Sequence, residues 1–525
     1  MLDDFGNLSE ELASRPSKRR NWARHLVPNL AVCLSWAAIF YSIFLFHASR
    51  QLFRDSDTGW HIRAGESILS TLTLPGTDPY SFSRHDQPWF DWEWGSDVIM
   101  GAVHRAAGLS GITFLFVCAI ALVVWLWARL NWAAGGNFFI TAILAAPMLS
   151  TTNLHWLARP HIFSWVLLLV ALLYLESAQT GFRWRQALFL AGLGTLWANL
   201  HASFFLLPLI ALLYAVGHLI RPLLWNLDPG QEFRRARWFS LAAAFSLAGT
   251  VLNPYGIGLH AHVLEYLANK ELLDRVGEFQ TFNFHVDGAS QLLFMLGIAA
   301  LGGVLAVSQK KVGHFLLAAL FLAIALRSAR GLPVAALVLL PLANGSITEA
   351  LRRARELRSS VRRGLRSALQ YSDRLRLLDA RYSGLIWSPL IAILVFGWLR
   401  IPMIAADTGF PLDQFPVYAA GELTLLPSNA RLFAPDKYGG YLIYRFNGRF
   451  KVFFDGRSDF YGSGFMKQYI RLIEVRPGWR EQLNAWGFTH ALLPAEFALA
   501  PALEGLGWKE LYRDEVAVLL QRPER

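Results

Sequence analysis

Long apolar stretches separated by short basic segments constrain this chain more than any other feature. Hydrophobic residues make up 54% of the 525 residues and charged residues only 17%, which is typical of a polytopic membrane protein. A membrane-spanning helix needs about 20 apolar residues. By that criterion the sequence predicts about eleven spans, near residues 28–48, 111–130, 136–152, 161–178, 186–199, 202–220, 238–252, 289–307, 313–329, 332–347 and 384–402.

The basic residues fall in short segments next to the predicted spans. The chain carries 49 Lys and Arg against 38 Asp and Glu, a net charge of +11. Because short loops rich in Lys and Arg stay in the cytoplasm, these segments report membrane orientation and do not indicate a nucleic-acid partner. With the spans placed as above they all lie on one side: residues 18–24, Arg129, Arg183 with Arg185, residues 234–237, Lys310 with Lys311, and residues 352–381.

This asymmetry predicts a cytoplasmic N-terminus and, with an odd number of spans, a C-terminal part outside. The first apolar run is too long for a cleavable signal and predicts a signal anchor. We therefore expect a bacterial inner-membrane protein whose C-terminal domain is periplasmic. The segment 95–109 is interrupted by Asp97, His104 and Arg105. Counted as a span it would invert every later basic loop, so we predict a helix on the outer surface.

Beyond the last predicted span, apolar density falls and short strand and helix patterns alternate, which predicts a small α/β domain. Strands are expected at 430–434, 450–454, 490–494 and 516–521, with helices near 464–475, 478–487 and 497–505. The chain is thus predicted to comprise a cytoplasmic tail (1–27), a transmembrane bundle (28–349) with a large outer loop (49–110), a basic cytoplasmic linker or amphipathic helix (350–383), a last transmembrane helix (384–404) and an extracytoplasmic α/β domain (405–525).

The first outer loop contains two acidic pairs with one residue between their members. Asp55 and Asp57 follow the first predicted span, and Asp91 and Glu93 lie further along. Such carboxylates, with His161 from the next outer loop, could bind Mg²⁺ or Mn²⁺. A carboxylate could instead act as a general base on an acceptor hydroxyl or amide. The remaining alternative is a solvated loop whose carboxylates only cap turns.

Cationic side chains are predicted at the same membrane surface. Arg159 lies in the short outer loop 153–161, and Arg327 and Arg330 flank the outer end of a later span. Guanidinium groups bind phosphate well. We therefore expect these arginines, together with His61 and Arg63 of the first loop, to contact a phosphate. The alternative for arginines at span ends is a role as interfacial anchors.

The chain resembles the GT-C superfamily of polyprenyl-phosphate-dependent glycosyltransferases, and especially the catalytic subunit of oligosaccharyltransferase. In that family the first outer loop carries a catalytic Asp, a polar residue four positions later and an Arg six positions later. Asp57, His61 and Arg63 occupy these positions here. The odd number of spans and the outer α/β domain also match. The resemblance implies that Asp57, with Asp55, is catalytic.

The resemblance also implies an acceptor-binding motif in the outer domain. The family motif reads Trp-Trp-Asp-Tyr-Gly, followed by an Arg and a strand ending in Asp. The sequence here has Asp436, Lys437, Tyr438 and Gly439, with both tryptophans absent, so recognition of a peptide sequon is not expected to carry over. The residues that the resemblance assigns to the acceptor are Asp436, Tyr438, Arg449, Asp455 and Arg457.

The resulting expectation is an inverting membrane glycosyltransferase that takes a sugar from a polyprenyl-(pyro)phosphate donor. Its partners are the bilayer, that lipid-linked sugar and an acceptor that the sequence does not identify. If it uses a cofactor, the sequence predicts Mg²⁺ or Mn²⁺. Two alternatives remain: a transporter or flippase for a lipid-linked glycan, and a non-catalytic membrane scaffold. The sequence has no P-loop, Rossmann fingerprint or HExxH motif in a convincing context, which gives no support to ATP-driven transport.

Overall fold

The computed structural model describes residues 23–177, 181–427 and 429–523. Most of the predicted tail, with Lys18, Arg19 and Arg20, lies outside these described residues. Each predicted span coincides with a helix. These helices are Leu30–Phe40 with its continuation Tyr41–Leu45, Trp94–Ala133, Phe138–Thr152, His161–Glu176, Trp184–Leu200, Leu206–Leu224, Pro229–Thr250, Ala289–Ser308, Val312–Arg327, Gly331–Arg353 and Ser388–Leu399.

By length and composition, five helical segments within the described ranges could cross a membrane: Trp94–Ala133, Phe138–His155, Ala202–Leu224, Ala289–Ser308 and Gly331–Arg353. Four more apolar segments are shorter, namely Leu30–Leu45, His161–Glu176, Val312–Arg327 and Leu385–Leu399. The protein is therefore mainly helical with several apolar helices of membrane-spanning length. The number of eleven spans and their orientation stay predictions.

Buried polar side chains connect the helices at one end of the bundle. The Asn344 side-chain amide donates to Asn131 at 2.8 Å and to the Thr141 hydroxyl at 2.9 Å, so it joins three of the helices. Asn137 caps the helix that it precedes by accepting from the amide of Phe139. In an apolar bundle such side chains hydrogen-bond across helices because no water is there to replace their partners.

The segment predicted as a separate surface helix at 95–109 is helical, but it continues into the following span. Trp94–Ala133 is one 40-residue helix with a break at Gly108, whose φ of 62° and ψ of −156° are not helical. The break separates the polar first part from the apolar remainder. Glycine tolerates this conformation because it has no Cβ, so it permits the change of direction that the charge pattern requires.

The large loop before this helix folds against it through the helix Asp57–Thr71. The two helices cross so closely that a Cβ on Gly65 would lie 1.7 Å from the Asp97 carbonyl oxygen. Behind this crossing, His61 Nδ1 and the Asp97 carboxylate are 2.6 Å apart and fully buried. The crossing fixes the orientation of the helix that begins at Asp57.

The basic linker contains the predicted amphipathic helix, at Ser359–Asp379. It contacts the turn between two bundle helices, where the Ser372 hydroxyl accepts from the amide of Phe138 at 3.0 Å. Arg376 donates to the carbonyl of Gly136 at 3.4 Å. The linker is therefore packed on the bundle end that also carries the Asn344 network.

The C-terminal part contains a four-stranded sheet, with β1 at Leu432–Phe433, β2 at His490–Pro494, β3 at Lys509–Arg513 and β4 at Ala517–Gln521. The order is β1-β2-β4-β3, with β1 parallel to β2 and the other pairs antiparallel. The accompanying helices are Pro402–Asp407, Ala419–Leu423, Asp436–Phe446, Ser458–Ile473, Trp479–Trp486 and Leu499–Glu504. The α/β character of this part is as expected.

One predicted strand is wrong and one strand was missed. Residues 450–454 are not in the sheet, and Val452 instead exchanges backbone hydrogen bonds of 3.0 Å with Tyr80 and Phe82 of the first loop. Their apolar pattern therefore reflects burial between the two parts of the chain. β3 was missed because Lys509 and Glu510 are exposed on an edge strand, which needs no apolar face.

Candidate functional site

A cavity of about 780 Å³ lies where the first loop, the 153–161 turn, the 253–288 loop and the C-terminal part meet. Part of the lining is apolar, with Trp165, Leu168, Phe205, Phe321 and Val334 among these side chains. Ionisable side chains also line the cavity, among them Arg54, Asp55, Asp57, Asp91, Glu93, His155, Arg159, His161, His201, Glu278, Arg330, Asp436, Lys437, Arg457 and Asp459. Every acidic residue that the sequence assigned to catalysis or metal binding lines this cavity.

Arg159 contacts three of the carboxylates that line the cavity. Its Nη1 lies 2.8 Å from Asp55 Oδ2 and 3.0 Å from Glu278 Oε1, and its Nη2 lies 2.9 Å from Asp57 Oδ2. Burial opposes the charge of Arg159, but these carboxylates outweigh it and hold the pKa of the guanidinium above its ordinary value. The arginine therefore remains a cation in this site.

The backbone beside Arg159 is attached to the first loop. The Ala158 amide donates to the Leu52 carbonyl at 2.8 Å, and the Ala158 carbonyl accepts from the Thr58 hydroxyl at 3.1 Å. Pro160 follows and is the N-cap of the helix His161–Glu176. These bonds place the 153–161 turn beside the start of the helix Asp57–Thr71, which explains why residues a hundred positions apart form one cluster.

Asp57 is the first residue of its helix and is almost fully buried. Its amide donates to Asp55 Oδ1 at 2.8 Å. Burial raises the pKa of the Asp57 carboxyl to about 7, although Arg159 opposes the shift. A carboxyl that titrates near neutral pH inside a cavity is suited to take a proton from an acceptor.

The C-terminal part covers Asp57 with backbone. A Cβ on Gly456 would lie 1.8 Å from Asp57 Oδ1, so any larger residue there would displace the carboxylate or the backbone. The helix Asp436–Phe446 packs equally closely, since a Cβ on Gly440 would lie 2.2 Å from the Ser56 carbonyl oxygen. The first loop and the C-terminal part therefore form the site together.

A second group of polar atoms at the other end of the cavity has unused hydrogen-bonding capacity. Both carboxylate oxygens of Asp91 and the Nη1 of Arg457 are buried without a hydrogen-bond partner among the residues that the structure describes. Arg457 is held by Asp455 through Nε and Nη2 at 2.8 and 2.7 Å, and its guanidinium lies 4.7 Å from the ring centre of Trp89. Burial raises the pKa of Asp91 to about 7. Asp91 can therefore accept hydrogen bonds from a ligand, and Arg457 can donate one.

Glu93 lies between the two groups and faces two histidines. Its Oε1 is 3.3 Å from His201 Nε2 and its Oε2 is 3.7 Å from His61 Nε2. Burial raises the pKa of Glu93 to about 8. His61, which Asp97 holds from behind, therefore contacts Glu93 and does not line the cavity itself.

Glu278 and Arg330 form the third part of the site. Arg330 Nε lies 2.9 Å from Glu278 Oε2. Burial opposes the charge of Glu278, but Arg330 and Arg159 hold the pKa of its carboxyl below its usual range. The two arginines thus lie on either side of this carboxylate. Glu278 was missed as a site residue because the residues around it form an irregular loop that carries no motif.

Three of the predicted phosphate ligands do not reach the cavity. His61 is behind Glu93, and Arg63 donates to the Tyr444 carbonyl at 2.9 Å and to Glu66 at 2.5 Å. Arg327 is exposed and does not line the cavity. Arg63 has an intramolecular partner that the sequence did not reveal, and its role is to connect the first loop to the helix Asp436–Phe446.

The acceptor residues that the family resemblance suggested are also divided. Asp436 and Arg457 line the cavity, and Asp455 acts behind it by holding Arg457. Tyr438 is fully buried, and its hydroxyl donates to the Val516 carbonyl at 3.0 Å. Arg449 is outside the cavity and donates to the Thr424 carbonyl at 3.4 Å. Tyr438 and Arg449 therefore do not line the cavity.

The proposed ligands for a divalent ion do not form one set. Within the described ranges, no group of three or more His, Cys, Asp and Glu side chains is arranged to hold a metal ion. Asp55 and Asp57 face Arg159, whereas His161 Nε2 lies 2.7 Å from the His155 carbonyl. Among these proposed ligands, Asp91 has both oxygens buried without a hydrogen-bond partner in the described residues.

No family model and no curated protein matches the sequence. The structure, however, superposes on the archaeal oligosaccharyltransferase AglB from Archaeoglobus fulgidus, in complex with an inhibitory peptide and a dolichol-phosphate. The TM-score is 0.52 and the identity 11%, over 88% of this chain and 69% of that one. The fold is similar to that of AglB.

Two further structures of the Archaeoglobus fulgidus oligosaccharyltransferase are similar. The apo form gives a TM-score of 0.47 at 13% identity, with coverage of 91% and 70%. The form tethered to an acceptor peptide with the NVT sequon gives 0.49 at 12%, with coverage of 90% and 69%. The AglB superposition is consistent with the resemblance that the motifs of the first loop indicated.

Proposed function

We propose that this protein is an integral-membrane inverting glycosyltransferase that moves a sugar from a polyprenyl-(pyro)phosphate donor to an acceptor outside the cytoplasm. The observation that carries the proposal is the buried Asp57, whose pKa burial raises to about 7. It lies beside Arg159 in a cavity that apolar side chains line in part. A lipid-linked sugar has the matching features, namely an isoprenoid chain, a phosphate and a polar sugar. The GT-C-like fold supports this choice.

The donor is proposed to bind with its isoprenoid chain against the apolar side chains that line the cavity. Its phosphate then lies near Arg330 and Arg159, since guanidinium groups bind phosphate oxygens through paired hydrogen bonds. Arg330 lines the cavity and pairs with one carboxylate, that of Glu278, with its guanidinium 5.2 Å from the ring centre of Phe279. It is therefore the better placed of the two to accept a new anionic partner.

The sugar is proposed to bind at the end of the cavity formed by Asp91 and Arg457. Sugar hydroxyls both donate and accept hydrogen bonds, which matches the unpaired oxygens of Asp91 and the unpaired Nη1 of Arg457. Trp89 and Trp92 line the same end and provide apolar ring surface. Buried polar groups without partners are costly, so a ligand that satisfies both is expected to gain binding energy there.

In the proposed reaction, an O–H or N–H of the acceptor is oriented by Asp57. Its oxygen or nitrogen attacks the anomeric carbon, and its proton passes to the Asp57 carboxylate. The bond from the anomeric carbon to the phosphate oxygen breaks, and the electron pair leaves with the polyprenyl (pyro)phosphate. Arg159 and Arg330 stabilise the charge that develops on this leaving group. In-line attack inverts the anomeric centre.

The experiment that tests this function uses the full-length protein in nanodiscs with radiolabelled polyprenyl-phosphate and polyprenyl-pyrophosphate sugars. We expect label to leave the lipid and polyprenyl (pyro)phosphate to accumulate. The substitution Asp57→Asn should abolish this, whereas Asp86→Asn, on the exposed part of the same loop, should not. Movement of intact lipid-linked sugar across the bilayer without bond cleavage would instead support a flippase.

A further inference from the structure

We infer that Arg159 takes the place of a divalent metal ion in this site and that sugar transfer needs no metal. The inference rests on the proposed function, because it concerns the charge that assists the leaving phosphate. It departs from the expectation that Asp55 and Asp57 hold Mg²⁺ or Mn²⁺. The observation behind it is the position of the guanidinium among three carboxylates.

The guanidinium occupies the space that a bound ion would need. Asp55 Oδ2 and Glu278 Oε1 both contact Arg159 Nη1, at 2.8 and 3.0 Å, and Asp57 Oδ2 contacts Nη2 at 2.9 Å. An Mg²⁺ ion bound by carboxylate oxygens lies about 2.0–2.1 Å from each of them. An ion on these three oxygens would therefore collide with the N–H groups that the same oxygens accept.

The charges lead to the same conclusion. The three carboxylates face two guanidinium groups, because Arg330 Nε also contacts Glu278, at 2.9 Å from Oε2. A divalent ion entering this cluster would be repelled by two cations, whereas a metal site normally provides an excess of anionic ligands. Arginine cannot lose its proton in a protein, so this repulsion persists at every pH at which the protein is folded.

The backbone next to Arg159 is held in place, which limits how far this residue can move away from the three carboxylates. The Ala158 amide and carbonyl are both bonded to the first loop, and Pro160 follows with a fixed φ. Movement of the arginine out of the cluster would leave buried carboxylates and a buried guanidinium without partners, which is unfavourable away from water. The backbone therefore holds the charge in place before any donor arrives.

The remaining carboxylates do not complete an alternative metal site. Asp91 has two unpaired oxygens, but Glu93 faces His201 and His61 at 3.3 and 3.7 Å. The nearest carboxylate of the C-terminal part, Asp459, is paired with His262 Nε2 at 3.1 Å. Asp91 is therefore a single carboxylate with unpaired oxygens, and the proposed function assigns it to the sugar.

The test has a binding arm that does not depend on activity. Full-length protein in nanodiscs is titrated with Mn²⁺, and bound ion is followed by loss of the free-ion EPR signal. We expect no saturable Mn²⁺ site in the wild type. The substitution Arg159→Met removes the guanidinium, frees three carboxylates and should create one site per chain. Arg330→Met is the matched control, because it removes the same charge without opening the centre of the cluster, and it should create none.

The activity arm measures transfer after EDTA treatment. We expect the rate to be unchanged by EDTA and by added Mn²⁺. Saturable Mn²⁺ binding by the wild type, or loss of transfer in EDTA that Mn²⁺ restores, would overturn the inference. If Arg159→Met does not fold, the wild-type titration decides alone. If no donor is turned over with or without metal, the proposed function fails and the binding arm still tests the role of Arg159.

Discussion

The properties of Asp57 come from its surroundings more than from its residue type. It is almost fully buried, paired with one guanidinium and covered by the backbone of Gly456. Burial raises the pKa of its carboxyl and Arg159 lowers it, and the balance is near neutrality. A solvated Asp titrates about three units lower. Such a carboxylate is a stronger base than an exposed one and still ionised in part at neutral pH.

This balance predicts how transfer depends on pH. Asp57 can accept a proton only when ionised, so the rate should rise with pH through a transition near 7 and level off above it. The substitution Asp57→Asn should lower the rate by about 10²–10⁴-fold and abolish the transition. The measurement is initial transfer rate against pH at saturating donor. A rate that is flat down to pH 5 would show that Asp57 is not the base.

Asp91 predicts a conflict between stability and activity. Its pKa is raised to about 7 in the folded protein, above the value in the unfolded chain, so ionisation destabilises the fold as pH rises from about 4 to 7. Asp91→Asn should therefore raise the free energy of unfolding by about 1–3 kcal/mol at pH 8 and have little effect at pH 4. It should also weaken transfer through a higher KM for the donor.

The measurement for Asp91 combines thermal unfolding at the two pH values with donor kinetics. Asp86→Asn provides the control, since that residue is exposed in the same loop. Loss of both stability and activity in Asp91→Asn would show that the carboxylate has a structural partner in the folded protein. A stabilised, weakly binding variant would support the assignment of Asp91 to the sugar.

The sequence predicted the candidate residues that stand in a recognisable local pattern. Asp57, Asp91 and Glu93 were identified because acidic pairs stand next to predicted membrane surfaces, and Arg159 because it lies in a short outer loop beside a predicted span. Glu278 was missed, since only the folded loop brings it to Arg159. The motif around Tyr438 is recognisable in the sequence, but the sequence did not show that this side chain is buried away from the cavity with its hydroxyl donating to the Val516 carbonyl.

At the scale of elements, helices were predictable because apolar runs are long and every predicted span became a helix. The C-terminal part was harder. Residues 450–454 alternate like a strand, yet they pair with the first loop, and β3 shows no apolar pattern because it is an exposed edge. Such pairings depend on contacts between distant segments, which period-2 patterns do not report.

The crossing of the helices Asp57–Thr71 and Asp436–Phe446 gives a prediction at this scale. A Cβ on Gly440 would lie 2.2 Å from the Ser56 carbonyl oxygen, so Gly440→Ala must push the helices apart. We expect a destabilisation of about 1–3 kcal/mol and a reduced transfer rate. The measurement is thermal unfolding with limited proteolysis of the C-terminal part.

Gly421→Ala is the matched control for this crossing. Gly421 is also helical and has no atom within 4 Å of its added Cβ. A better helix former at an open position should leave stability equal or slightly higher. Equal losses in both variants would mean that the close crossing does not determine how the C-terminal part docks.

Considered as a whole, the molecule places its proposed base in the first loop and divides its proposed sugar site between two parts of the chain, because Asp91 lies in the first loop and Arg457 in the C-terminal part. Asp57, Arg159 and Arg330 belong to the helical bundle and its loops, whereas Gly456 and Arg457 belong to the C-terminal part. The two parts meet at a contact where the backbone of Gly456 lies against the carboxylate of the proposed base. Donor binding at the phosphate end should therefore need the bundle alone, and transfer should need the closed junction.

Gly456→Ala separates these requirements. A Cβ there would lie 1.8 Å from Asp57 Oδ1, so either the carboxylate turns away from the acceptor or the loop that carries Arg457 retreats. We expect transfer to fall by about two orders of magnitude, as misplacement near 1 Å can cause, while a photoreactive polyprenyl-phosphate still labels the bundle. Gly464→Ala, on the helix that follows and in open space, should retain both properties.

Loss of labelling together with transfer would mean that the C-terminal part also shapes the phosphate end of the cavity. Full transfer in Gly456→Ala would mean that the junction opens during the reaction without cost.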